Sequence, residues 1–545
     1  MTAVENIAWV CPPEPIRGLD HLGVQAPCTT LYTQLLPGIT NVTDRARYYT
    51  FYPWVIWSFE RRYSVHSLAE FRRVLRRAEC LFALIAIRHA RALEDADHGR
   101  HGIGMVGRFE LLRIGDDVEE ISLDDYAALE GPRRYFKNKL GGLGQYYFGP
   151  LRDLRILDHS PQGNDYPLGY DRERGRELAE AFAKGVAEDA FFRVLEASAI
   201  TWSDLDELAS FCPCGLRENP VEQELLLDLF LARTTTYDVD GGPARRASLG
   251  LMLELVQRDG KNPTYTYEAL LRGASYAGAL SDGSPWALDG ALLRARGGWG
   301  TYQRNELLSV AVQGLFAAIL RAIQRDHGGV LRESADAANV GERLLSSFGA
   351  RLARPLAEEI EQVRRELPPL ASWTAAEHEL ERGWQLLDLG LEDDQLEDAA
   401  EKSIQILLAL LARGVDEYPY ADFELDPEYF DPQEVHLLSL RQASRTTWAA
   451  MSLGEWIRWL SVHWCVGRHL RVALRKLRAE RRDTFRIRPL EGELRVVEAP
   501  APTFTLPRVT RTVQILRDLD QIDLEADGLV LTERGRAALE VCRGG

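Results

Sequence analysis

Apolar residues recur every three to four positions through most of the chain, and this period is typical of amphipathic α-helices. Proline and glycine mark the helix ends. Pro220 opens the helix predicted from Val221, while Gly260 and Gly414 follow the helices predicted over 244–258 and 391–413. No repeat with a fixed period is evident. The pattern therefore predicts a mainly α protein built from irregular multi-helix domains.

The second predicted helix, from Thr43 to about Tyr63, is unusually aromatic, and Pro53 is expected to kink or split it. Two interpretations stay open. The helix either lines a groove in which arginines hold an anionic ligand, or forms the aromatic core of the first domain, which we favour. The residues concerned have side chains that are common at binding interfaces: Arg45, Arg47, Tyr49, Tyr52 and Trp54.

A second notable helix is predicted over 453–476, and it leads into a strongly basic run. Several arginines together offer bidentate contacts to phosphate, so the run predicts a nucleic-acid contact. The alternative is a solvated helix face that pairs with carboxylates of the same chain. The candidate residues are Arg468, Arg471, Arg475, Lys476, Arg478, Arg481 and Arg482.

The end of the chain predicts a helix over 508–519, two short strands around the turn at Gly528, and a last helix capped by Thr532. The run ILRDLDQIDLEADGLVLTERGRAALE resembles the second half of a winged-helix domain. That resemblance implies a basic helix for the major groove, here with Arg508 and Arg511, and a wing that touches phosphate. The wing is acidic here, so DNA reading and protein docking both stay open.

These features divide the chain into four predicted domains. They are an N-terminal helical domain (1–160), a central helical domain (171–420), a helical basic arm (427–488) and the winged-helix module (489–545).

Composition limits the classes of function. The chain has 545 residues and a net charge of −17, whereas a free-standing, non-specific nucleic-acid binder would be basic. Any nucleic-acid contact must therefore come from a local patch, and protein subunits are expected partners. Seven cysteines without a regular framework predict a reducing, cytoplasmic location. The apolar run 307–320 is too short for a bilayer, so no membrane partner is predicted.

Motifs for catalysis or metal binding are weak. His98 and His101, with His89 nearby, lack a carboxylate or cysteine to complete a ligand set. Cys212 and Cys214 flank Pro213 but have no second cysteine pair. The sequence thus predicts no metal, no cofactor and no catalytic residue.

The chain as a whole resembles uncharacterised bacterial proteins, some of them encoded near defence genes. Together with the basic arm, this resemblance implies a non-enzymatic accessory or sensor subunit of an anti-phage defence complex, binding protein subunits and DNA. The alternative is an enzyme or a sensor of a small ligand or nucleotide, with a site in the N-terminal domain around Arg45, Tyr49, His101 and Gln145.

Overall fold

A computed structural model describes residues 20–92, 103–159, 166, 168–234, 236–237, 241–414, 434–480 and 482–544. The fold is mainly α-helical, as the sequence predicts. The α-helices of the described residues are α1 (Ala26–Leu35), α2 (Tyr48–Arg62), α3 (Leu68–Ala92), α4 (Arg108–Leu111), α5 (Leu123–Ala127), α6 (Phe148–Asp153), α7 (Arg174–Lys184), α8 (Glu188–Glu196), α9 (Trp202–Asp206), α10 (Pro220–Leu231), α11 (Gly242–Asp259), α12 (Tyr267–Ala277), α13 (Gly290–His327), α14 (Asp336–Leu344), α15 (Leu356–Glu366), α16 (Glu379–Asp388), α17 (Leu396–Arg413), α18 (Leu437–Arg445), α19 (Leu453–Leu460), α20 (Gly467–Glu480), α21 (Val509–Asp518) and α22 (Glu533–Arg543).

The strands are short and form small antiparallel sheets. They are β1 (Ile121–Ser122), β2 (Leu157–His159), β3 (Leu168–Tyr170), β4 (Ala199–Ile200), β5 (Val330–Leu331), β6 (Ile487–Leu490), β7 (Glu493–Val496), β8 (Ile522–Glu525) and β9 (Gly528–Leu531). Shorter 3₁₀ and π turns complete the helical part: Leu143–Tyr147, Ala209–Phe211, Pro213–Glu218, Ser346–Ala353 and Ser461–Val466.

Local sequence signals account for several helix ends. Ser452 and Glu455 form a reciprocal capping box at the start of α19, and the Thr532 hydroxyl accepts from the Gly535 amide (2.9 Å) at the start of α22. Of the two outcomes expected at Pro53, a split does not occur, because the proline removes only one hydrogen bond from a helix whose flanking residues are buried. A kink there stays a prediction.

The chain forms two compact units, each drawn from distant segments. The first unit, within the described residues, comprises the segments up to Tyr32, Leu270–Ala287 and Arg296–Thr505. The second comprises Thr33–Ala269, Leu288–Ala295 and Leu506 onward. The four domains predicted from the sequence stay a prediction, since a compact unit is not by itself an independently folding domain.

In the first unit, α13 supplies much of the core. Among the described residues it alone is long and apolar enough to cross a membrane, and 94% of its most apolar window is buried inside the protein. The strands β5, β7 and β6 lie side by side in that order, with Val330 opposite Arg495 and Ile487 opposite Val496. This sheet joins the end of α13 to the chain that follows α20.

In the second unit, the aromatic residues of α2 are core residues. Phe51 stacks on Phe82 of α3 with 4.2 Å between ring centroids. Buried arginines tie the loops to this core. The Arg76 guanidinium donates to the carbonyl oxygens of Ala127 (2.8 Å) and Phe136 (3.0 Å), so one side chain ties the end of α5 to the loop that follows it.

The C-terminal elements also belong to the second unit and occur where the sequence predicts them. β8 and β9 pair with Ile522 opposite Leu531, and the Leu529 amide donates to the Gly260 carbonyl (3.0 Å) at the end of α11. The ribbon is thereby joined to the helical core. Membership of the winged-helix superfamily stays a prediction.

Candidate nucleic-acid interface

The helical stretch from α19 to α20 runs through the π turn Ser461–Val466 without interruption. Its second half, α20, carries cationic side chains both on its buried inner face and on its exposed outer face. On the inner face of α20, Arg468, His469, Val472 and Ala473 are buried. The inner face therefore needs polar partners for its charge, and the outer face does not.

The inner cations bind the main chain of the segment before α1. Arg468 donates through Nε to the Leu22 carbonyl (2.8 Å), and Lys476 donates to the Asp20 carbonyl. Gly23 has φ +66°, and a Cβ there would come within 2.8 Å of the Arg468 guanidinium. The positive φ favours glycine at this position, and any side chain there would also displace the Arg468 guanidinium.

His469 completes this attachment. Its Nε2 accepts a hydrogen bond from the Arg486 amide (2.8 Å), so that nitrogen carries no proton and Nδ1 donates to the His21 carbonyl (3.0 Å). Burial lowers the pKa of His469 to about 3. The neutral imidazole thus joins α20 both to the segment before α1 and to the start of β6.

The outer face of α20 carries Arg471, Arg475 and Arg478, which we call the basic face. The three residues are exposed, and their spacing of four and three places them on one side of the helix. None forms an ion pair within the described residues, although Arg471 donates to the His463 carbonyl (3.2 Å). The basic face therefore presents guanidinium groups to solvent.

Two leucines lie beside these arginines. Leu474 is 41% exposed and Leu477 is 38% exposed. Exposed leucines between cations are consistent with contact to a partner as well as to solvent.

Downstream of α20 the cations have carboxylate partners. Arg486 pairs with Glu498 (2.5 Å), and Arg488 pairs with Asp483. The basic stretch of the sequence is thus divided in two. Its first part is α20, whose outer face meets solvent, and the residues after α20 form local ion pairs. Arg482 is exposed, and Arg481 lies outside the described residues.

The arginines of the predicted winged helix are engaged within the second unit. Arg508 donates to the Leu36 carbonyl (2.9 Å) and to Thr33 Oγ1 (2.8 Å). Arg511 pairs with Asp44 (2.6 Å). Both side chains are only partly exposed, and each already has a partner within the second unit.

The N-terminal candidate residues are buried in the core of the second unit. Arg45 pairs with Asp518 (2.9 Å), and Arg47 pairs with Glu222 (3.0 Å). The hydroxyls of Tyr49 and Tyr52 donate to the Gly38 carbonyl (2.8 Å) and to Glu79 (2.5 Å), and the Trp54 indole donates to Glu188 (3.2 Å). These residues are therefore core residues, and their buried charged and polar groups are paired with other groups of the protein.

A cavity of about 330 Å³ lies next to this core, lined by the loop from Ile103 to Glu110 together with Asp44, Tyr135 and Arg511. Burial raises the pKa of Asp44, although Arg511 acts in the opposite direction. Tyr49 and Gln145 are not among its lining residues, and His101 lies outside the described residues. The residues of the alternative site therefore do not converge on this cavity.

One cluster of potential metal ligands was not predicted from the sequence. His89 at the end of α3 lies beside Cys212 and Cys214, more than a hundred residues away in the chain. The cysteine pair around Pro213 was visible in the sequence, but its histidine neighbour is defined only by how α3 packs against the turn Ala209–Phe211.

No protein-family model, no curated protein and no solved structure matches this chain.

Proposed function

We propose that the protein is a non-enzymatic accessory subunit that binds nucleic acid through the basic face of α20. The observation that carries this proposal is a row of three exposed arginines that have no carboxylate partner among the described residues, in a chain whose net charge is −17. Many other arginines of the described part pair with carboxylates or donate to carbonyl oxygens. A cationic row left facing solvent is suited to a polyanionic partner.

The dimensions of the row fit a phosphate backbone. Arg471 and Arg478 are seven residues apart, which at the α-helical rise is about 10 Å. Phosphates along one DNA strand advance by about 3.4 Å per nucleotide along the helix axis, so the row matches about three steps. Arginine binds phosphate oxygens bidentately, as it binds carboxylates, and a nucleic-acid backbone supplies several such anions in a row.

The polar anchoring of α20 supports the same proposal. Arg468, His469 and Lys476 fix the inner face to main-chain atoms, so the outer face is held in one orientation. A rigid row of cations loses less conformational freedom on binding than a flexible tail does. Leu474 and Leu477 would then contact a protein subunit that shares the site.

The test is duplex-DNA binding by fluorescence anisotropy across a salt series from about 50 to 200 mM. We expect the variant Arg471→Ala/Arg475→Ala/Arg478→Ala to bind at least ten-fold more weakly. Its log–log salt slope should fall by about 2 to 3, because roughly 0.9 counterions are released per phosphate neutralised.

A matched control changes net charge equally at other exposed arginines: Arg133→Ala/Arg193→Ala/Arg365→Ala. We expect this control to bind like the wild type. Equal affinity and slope for wild type and the α20 variant, or an equal loss in the control, would contradict the proposal.

A further inference from the structure

Three potential metal ligands converge in the second unit. His89 lies in the last turn of α3, and Cys212 and Cys214 lie on either side of Pro213 where the 3₁₀ turn Pro213–Glu218 begins. Their ligand atoms all lie within 4.8 Å of one another, and His89 Nδ1 is 3.3 Å from Cys214 Sγ. Two sulfurs and one imidazole nitrogen form a donor set typical of zinc.

The spacing suits a tetrahedral centre. With Zn–S near 2.3 Å and Zn–N near 2.0–2.1 Å, a tetrahedral N···S edge is about 3.6 Å and an S···S edge about 3.8 Å. The observed N···S distance is close to that edge. The other two ligand-atom distances are at most 4.8 Å, so they exceed the tetrahedral edges by no more than about 1.2 Å.

The turn that carries the cysteines is held rigidly. The buried Arg47 guanidinium donates to the carbonyl oxygens of Ser210 (2.6 Å) and Cys212 (2.5 Å), and it also pairs with Glu222. A Cβ at Gly215 would lie 2.6 Å from the Ser210 carbonyl, so the turn is tight. Such a backbone holds the Cα atoms of both cysteines in place before any ion arrives.

Burial and charge are compatible with a bound dication. Cys212 is buried, whereas His89 and Cys214 are half-buried, so an ion reaches the cluster from the solvent side. Two thiolates and a neutral imidazole around Zn²⁺ give no net charge, which suits a partly buried position. Both cysteines must lose their thiol protons to bind the ion, so binding releases protons and weakens as pH falls.

We propose that His89, Cys212 and Cys214 bind one Zn²⁺ ion and leave a fourth position for water or an external donor. The ion connects the end of α3 to the turn that precedes α10. This site is independent of the basic face and of the function proposed for it.

Cobalt titration tests the site directly. Wild-type protein kept reduced and freed of metal with a chelator is titrated with Co²⁺. We expect near-ultraviolet thiolate-to-cobalt absorption and visible bands of a tetrahedral centre, saturating at one ion per chain. Added Zn²⁺ should abolish the bands.

Variants identify the ligands. Cys212→Ser and Cys214→Ser should each lose the thiolate band, and His89→Ala should bind at least about ten-fold more weakly. Cys542→Ser and His66→Ala serve as controls, since they remove one buried cysteine and one exposed histidine outside the cluster, and both should titrate like the wild type. Circular dichroism checks that each variant is folded.

A measurement on the wild type alone covers the case in which a variant does not fold. Zn²⁺ should slow alkylation of Cys214, the more exposed cysteine of the cluster, as followed by mass spectrometry of its peptide. No cobalt band from reduced wild type, bands that persist without both cysteines, or alkylation unaffected by Zn²⁺ would overturn the proposal. A Cys212–Cys214 disulfide in protein whose reduced form takes up no metal would overturn it as well.

Discussion

The helices α20 and α21 are both rich in arginine, yet they use it in opposite ways. In α20 the basic face is exposed and has no carboxylate partner within the described residues. At the start of α21, Arg508 and Arg511 bind the main chain and Asp44 in the segment before α2. The same residue type therefore supplies a candidate binding surface in one helix and internal cross-links in the other.

The difference follows from burial. A guanidinium removed from water must regain its hydrogen bonds from the protein, and its five donors suit it to bridge several carbonyl oxygens. Arg76 and Arg47 show this use in the second unit, and Arg468 shows it in the first. An arginine-rich segment thus indicates nucleic acid only where the side chains have no such partners.

The largest effect is expected at the pair that fixes α21. Asp518→Ala leaves Arg45 buried without its carboxylate, and Asp518 also accepts from the Ala46 amide (3.0 Å). Removing one partner of a buried pair costs about 3–5 kcal/mol, which chemical denaturation would measure. Asp520→Ala, two residues further on and partly exposed, is the control. A small, equal change in both variants would mean that α21 is not held by this pair.

Acid should weaken the attachment of α20. The pKa of His469 is about 3 in the folded protein and about 6.5 in the unfolded chain, so only the unfolded chain takes up a proton between these values. The stability contributed by neutral His469 is complete above pH 6.5 and is lost as pH falls towards 3. By pH 4 the loss is on the order of 3 kcal/mol.

His469→Gln separates this contribution from others. Glutamine offers a donor and an acceptor but does not titrate. The free energy of unfolding of the variant, measured by urea denaturation, should therefore fall less steeply between pH 6.5 and 4 than that of the wild type. The nearby cations Lys476 and Arg486, and His21, are unchanged in both proteins. Identical pH profiles would show that His469 does not carry the acid sensitivity.

A pair of variants on one helix compares the inner and outer faces of α20. Arg468→Ala removes a donor from the buried Leu22 carbonyl, which should cost about 1–3 kcal/mol. Arg475→Ala removes an exposed side chain and should change stability by less than about 0.5 kcal/mol. Thermal unfolding of both would reveal the contrast, and similar melting temperatures would contradict it.

The smallest effect is expected at the turn of the β8–β9 ribbon. Lys261 pairs with Glu525 (2.6 Å) and Asp527 (3.1 Å), but all three side chains are about half exposed. Solvent screens such pairs, so Lys261→Ala should leave the melting temperature unchanged within error. A clear loss of stability would show that the ribbon depends on this contact rather than on the Leu529–Gly260 hydrogen bond.

The sequence predicted the helical structure of most of the chain and many of the helix ends. The capping signal at Thr532 and the proline that opens α10 act within a few residues, so they predict local structure well. The net charge of −17 likewise indicated that any contact with a polyanion must come from a local basic patch. The apolar run 307–320, noted in the sequence for its length, is buried within α13.

What the sequence by itself determined is therefore the helical character of the chain, its C-terminal helix–ribbon–helix elements and the residue types available for chemistry. Only the tertiary structure decided which arginines are covered by carbonyl or carboxylate oxygens and which face solvent. It also decided that His89 meets Cys212 and Cys214. The physical reason is that hydrogen-bond partners and ligand sets are formed between segments far apart in the chain, whereas caps and periodicity act within a few turns of helix.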